Sequence, residues 1–119
     1  EDWVYMNPTP GLSNTTIMNI VDSDIYPSLF KLSQNSPNPF NPTTTIRYEL
    51  FIDSFITLTV FDISGRKVID LVNGYSQAGN YKIQWNAIDE YGQRMGAGLY
   101  FYSITTENIS ETKKMILLK

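Results

Sequence analysis

The feature that most constrains this chain is a short run of alternating β-formers closed at once by turn residues. Its clearest copy is Phe55-Ile56-Thr57-Leu58-Thr59-Val60-Phe61, followed by Asp62-Ile63-Ser64-Gly65. In an extended strand Ile56, Leu58 and Val60 fall on one face and Thr57 and Thr59 on the other. Gly65 supplies the positive φ that a tight turn asks for. The unit recurs. Thr43 to Leu50 reads as a strand, and Lys67 to Val72 as another, closed by Asn73-Gly74. Tyr81 to Trp85 alternates between the turn regions Gln77-Ala78-Gly79-Asn80 and Asp89-Glu90-Tyr91-Gly92. Gly96-Ala97-Gly98 leads into Leu99 to Thr105, Glu107-Asn108 makes a hairpin turn, and Thr112 to Leu118 finishes the chain. No segment sustains a 3.6-residue apolar period. Six or seven short strands, with connections too short for crossovers, predict an all-β, antiparallel β-sandwich. An open barrel is the second choice.

With 119 residues, 42% of them apolar, one packed core is expected and a second domain is not. Residues 1–30 differ in texture. Asn7-Pro8-Thr9-Pro10-Gly11 and Asp22-Ser23-Asp24 are poor sheet interior, and only Ile17 to Val21 offers a short strand. They read as a linker or the tail of a preceding module, which leaves 31–119 as the domain. The chain begins at Glu1 without a secretory leader, so it reads as a piece of a longer precursor. No apolar run approaches the ~18 residues that span a bilayer, so no membrane span is expected.

The chemistry is bounded by what is missing. There is no cysteine and no histidine, which removes disulfides, thiol chemistry, the usual zinc sets and a Ser-His-Asp triad. Asp62 and Asp89-Glu90 sit in predicted turns, where an aspartate caps its own backbone rather than pairing for acid–base work. A net charge of −3 argues against nucleic acid. We expect no catalytic residue, no metal and no cofactor.

The loops then carry a resemblance. Leu32-Ser33-Gln34-Asn35-Ser36-Pro37-Asn38-Pro39-Phe40-Asn41-Pro42 opens it, and Thr45-Ile46-Arg47-Tyr48-Glu49-Leu50 continues it. Val60 to Val68, Ala78-Gly79-Asn80-Tyr81 with Trp85, Gly98-Leu99-Tyr100-Phe101-Tyr102, and the ending Lys113-Lys114-Met115-Ile116-Leu117-Leu118-Lys119 follow in order. Together these resemble the type A C-terminal sorting domain of the type IX secretion system of Bacteroidetes. Trp85 to Tyr102 is also similar to the immunoglobulin-like domain of flagellar hook-capping proteins. Trp3 with Asn7 to Gly11 has a fainter similarity to the end of a lamin-tail module.

The resemblance implies an immunoglobulin-like antiparallel β-sandwich of about seven strands that does no catalysis. It implies a cargo domain N-terminal to it in the same precursor, and passage through the periplasm to the cell surface or medium. Its partners would be the outer-membrane secretion machinery and a sortase-like peptidase, with any cut falling within residues 1–31.

Two features are candidates for recognition. One is the stiffened loop with Asn35, Pro37, Asn38, Pro39, Phe40 and Asn41. The other is the terminal strand with Lys113, Lys114 and the carboxylate of Lys119, whose edge a partner strand could extend. Phe40 is equally a core plug, and the two lysines equally edge protection. Gly65, Gly79 and Gly98 are read as structural turn or bulge glycines. The rival function is a carbohydrate-binding module on a secreted enzyme, with Tyr81, Trp85, Tyr91, Tyr100 and Tyr102 as a platform of exposed rings. A plain structural spacer is a third reading.

Overall fold

The alternation in the sequence reappears as burial. Along Thr44–Leu50 the side chains of Thr44, Ile46, Tyr48 and Leu50 are buried and those between them are not. Along Ser54–Phe61 Ile56, Leu58 and Val60 are wholly buried. The computed structural model describes residues 29–107 and 109–118. The linker-like sequence before residue 29, its possible strand at 17–21, the lamin-tail-like run, Asn108 and Lys119 lie outside the described residues.

Seven strands form: β1 (Phe30–Leu32), β2 (Thr44–Leu50), β3 (Ser54–Phe61), β4 (Lys67–Ser76), β5 (Gly79–Trp85), β6 (Gly98–Thr106) and β7 (Ile109–Leu117). They lie in two sheets, one of order β1-β2-β5 and one of order β4-β3-β6-β7, with every pair antiparallel. The fold is the expected immunoglobulin-like sandwich, not an open barrel. Its core joins Ile46, Tyr48 and Leu50 of one sheet to Ile56, Leu58, Val60, Tyr102, Ile104 and Met115 of the other. Each such side chain contributes on the order of 1.5–3 kcal/mol by leaving water.

Two boundaries differ from the sequence reading. Asn73-Gly74 closes nothing: β4 runs on to Ser76, with Asn73 opposite Thr57 and Gly74 opposite Ile56. Gly74 is not in the left-handed region, so it spans the ladder as an ordinary extended residue. The reversal comes instead at Gln77-Ala78, where the Asp53 carboxylate accepts the Ala78 N–H at 2.8 Å. The last strand begins at Ile109 rather than Thr112, because Thr105 and Thr106 pair straight on to Ser110 and Ile109. At the other terminus Phe30, inside the stretch read as linker, pairs with Leu50.

The register defines two ends. Leu29, the β2–β3, β4–β5 and β6–β7 connections share the near end, where the chain comes in. The β1–β2 loop, the β3–β4 turn, the β5–β6 connection and the end of β7 share the far end.

Candidate functional site

The far end is built on three rings. Phe40, Trp85 and Tyr100 are buried; Phe40 and Trp85 lie 5.8 Å apart between centroids, and Trp85 meets Tyr100 edge-on at 5.5 Å. The polar handles are satisfied, as buried aromatic donors must be. Trp85 Nε1–H donates to the Ile88 carbonyl at 2.8 Å and the Tyr100 hydroxyl to the Gly96 carbonyl at 2.6 Å. Beside them the Tyr102 hydroxyl donates to the Ser33 carbonyl at 2.7 Å, and burial pushes this phenol up to about 12.

Phe40 drops into this cluster and carries its loop with it. Its N–H donates to the Ile116 carbonyl at 3.0 Å, and its carbonyl accepts the Leu118 N–H at 2.8 Å. Asn38 Oδ1 accepts the Ile116 N–H at 3.0 Å, and Gln34 Nε2 donates to the Lys114 carbonyl at 2.8 Å. The outward backbone groups of β7 from Lys114 to Leu118 are thus covered by the chain's own loop. An uncovered edge there would be a template for another strand.

Asn35 holds the loop's root. It is buried, with Nδ2 donating to the Pro37 carbonyl at 3.1 Å and to the Thr44 hydroxyl at 2.9 Å, while Oδ1 accepts from Gln34 Nε2 at 2.7 Å. Thr44 in turn donates to the Pro37 carbonyl at 2.8 Å. Ser36 and Thr45 exchange backbone bonds at 3.0 and 2.9 Å.

The two candidate features of the sequence therefore form one surface. Pro37, Asn38, Pro39 and Asn41 are exposed on it; Asn35 and Phe40 are inside. Lys114 is exposed, and Lys113 is half-buried with Glu111 at 3.5 Å. The carboxylate of Lys119 is outside the described residues. Gln34, Ile116 and Leu118 belong to the surface and were missed. Ile116 and Leu118, 43% and 49% exposed, follow from the alternation that turns Met115 and Leu117 inward. A hollow of about 440 Å³ adjoins them, lined by Asn41, Pro42, Arg94, Met95, Leu117 and Leu118 among others.

The neighbouring turns use one device twice. Asp62 Oδ1 accepts from the N–H groups of Ser64 (2.9 Å) and Arg66 (3.0 Å), and Asp89 Oδ1 from those of Tyr91 (2.9 Å) and Gln93 (2.8 Å). Gly65 and Gly92 hold the third position after each aspartate at φ 88° and 84°, which only glycine adopts cheaply. The Ser64 hydroxyl and then the Arg66 N–H hold the Asp62 carboxyl below the usual carboxylate range. Gly79 and Gly98 open β5 and β6. Among the described residues no three acidic side chains gather as a metal ion would need.

The carbohydrate platform does not form. Trp85, Tyr100 and Tyr102 are core, Tyr81 stacks on Tyr48 at 5.2 Å, and only Tyr91 of the five is largely exposed.

Residues 36–118 match the sequence family described as the secretion system C-terminal sorting domain. The chain belongs to that family. The sorting domain is also similar in structure to dimeric latent PorU of Porphyromonas gingivalis, with 27% identity and a TM-score of 0.64, covering 83% of this chain and 10% of that one. PorZ, a surface component of the type IX secretion system of the same organism, matches over 72% of this chain and 11% of its own (18% identity, TM-score 0.51). The hook-capping protein FlgD of Xanthomonas campestris matches over 74% of this chain and 64% of its own (21% identity, TM-score 0.51). The latter two share the fold. The sorting domain thus spans about a tenth of the length of PorU and of PorZ. No curated protein sequence matches it. No helix among the described residues is long and apolar enough to cross a membrane.

Proposed function

We propose that this domain does no chemistry and labels a larger precursor for transport across the outer membrane by the type IX system. The precursor would carry its cargo N-terminal to about residue 30, pass through the periplasm, and end at the cell surface or in the medium. A sortase-like peptidase is the partner that would cut upstream of the domain.

The observation that carries the reading is the joined surface at the far end, within a chain of the sorting family. The proline loop seals the last strand's edge from Lys114 to Leu118, so recognition at this end falls to the exposed Pro37, Asn38, Pro39, Ile116 and Leu118 and to the adjoining hollow. A surface already fixed by Phe40 and Asn35 loses little entropy when a partner meets it. The chain comes in at the opposite end, which leaves the label clear of its cargo.

The test is export of a fluorescent protein bearing a signal peptide and residues 29–119, in a bacterium with an active type IX system. Reporter at the surface or in the medium supports sorting. A folded fusion held in the periplasm refutes it.

A further inference from the structure

Three of the chain's nine basic residues, Lys31, Arg47 and Lys82, stand exposed on the outward face of the β1-β2-β5 sheet. Arg47 and Lys82 are direct cross-strand partners. Like charges so placed destabilise a sheet. Neither they nor Lys31 has an ion pair or a side-chain hydrogen bond among the described residues. Two shallow grooves, of about 370 and 300 Å³, cross this face, and Arg47 and Lys82 line both. Glu49, the cross-strand partner of Lys31, is the one acidic residue lining these grooves, so the Arg47–Lys82 pair is the part of this face left without an opposite charge directly across from it.

That face borders an open edge. Ser36 and Thr45 exchange backbone bonds, and Ser33 N–H bonds to the Arg47 carbonyl at 3.0 Å, so Thr45 and Arg47 turn their backbone polar groups toward the β1 side. By alternation Ile46 and Tyr48 bond to their β5 partners, Ile83 and Tyr81. Asn80, Lys82 and Gln84 then point N–H and C=O away from the sheet, and no described residue bonds to them. The other edges are less available. β7 is covered by its loop from Lys114 onward, which leaves only its first half open, β1 has three residues, and β4 carries register shifts opposite Leu58/Thr59 and Val60/Phe61. β5 pairs in unbroken register throughout.

We propose that the β5 edge is a strand-addition site for an extended acidic segment of a partner protein, with acidic and apolar side chains alternating. On the outward face the acidic groups would lie beside Lys82 and reach toward Arg47. On the inward face the apolar groups would extend the core over Tyr81 and Ile83, which are half-buried at its margin. Main-chain bonds to Asn80, Lys82 and Gln84 supply affinity, and charge supplies selection and register. An edge lysine that served only to repel other strands would leave all such segments unbound.

The inference does not rest on export, and its test is made in solution. The isotope-labelled 119-residue chain is titrated with a capped peptide alternating valine and glutamate. Slowed amide exchange at Asn80, Lys82 and Gln84 is expected, with at least about tenfold weaker binding in Arg47→Glu and Lys82→Glu. Gln84→Pro should weaken binding similarly, because it removes an outward N–H that β2 does not use and leaves both charges in place. Circular dichroism checks each fold, and the two charge reversals, at exposed positions, keep the test alive if the proline variant unfolds. No protection at these amides overturns the proposal, as does equal response to a valine–lysine peptide. Inorganic polyphosphate binding that survives Gln84→Pro, without peptide binding, would make the face a polyanion site instead. A dimer in sedimentation that is lost in Gln84→Pro would make a second copy the occupant.

Discussion

Asn35 ties the loop to the start of β2 through one buried amide, and Gln34, bonded to it, carries the link on to the last strand. Asn35→Ala leaves the Thr44 hydroxyl and the Pro37 carbonyl short of a donor, and should cost about 1–3 kcal/mol in chemical denaturation. The sequence places Asn35 in the right loop and offers its amide to a partner; its inward direction depends on Phe40 docking, which local sequence does not encode. The aspartate turns, by contrast, are legible from Asp62 to Gly65 alone, since both the cap and the positive φ are local demands. Gly65→Ala and Gly92→Ala should each cost about 1–2 kcal/mol by melting, where Gly74→Ala, in extended backbone, should not. Asp62 and Asp70 both have lowered pKa values, Asp70 through the Thr59 hydroxyl first and then Lys67. Their contribution is present above the unfolded value of 3.8 and is lost as pH falls through the folded values. Stability of Asp62→Asn should therefore fall less than that of the parent as pH drops below ~4, with the two differing most near neutrality and converging in acid.

At the scale of elements, what the sequence shows best is strands whose faces alternate. β2 and β3 are found within a residue of their predicted ends, because each buries one clean face. β4 is missed past Val72 because Asn73-Gly74 resembles a turn, although the pairing from Asn73 to Ser76 is regular and both shifts of register fall earlier, within Lys67 to Val72. β1 is too short for a period to register. The loop behaves as an eighth element, pinned by one ring. Phe40→Ala should cost about 3–5 kcal/mol and, in exchange measurements, free the Ile116 and Leu118 amides before the rest of β7. Uniform loosening of the whole sheet would show that Phe40 is only one core residue among many. Deleting Lys113 to Lys119 is a poor probe of recognition, because it removes Met115 and Leu117 from the core along with the surface.

For the whole molecule the decisive arrangement is that of the ends. Pairing order from the sequence suggests two sheets, but nothing local tells which loops meet. That the proline loop and the C-terminal strand form one surface, remote from Leu29, is visible only once Phe40 pairs with Leu117. The domain boundary proposed near residue 30 predicts that residues 29–119 alone melt within a few degrees of the 119-residue chain; a large drop would move the boundary upstream. The central claim is that the far-end surface is the label. The measurement that tests it most directly is the exported fraction of the reporter fusion carrying Ile116→Glu and Leu118→Glu together, two side chains that are already half in solvent. Trp85 fluorescence of the purified domain monitors its fold. The account predicts a folded fusion retained in the periplasm. Export at the parent level by the folded double variant would contradict it.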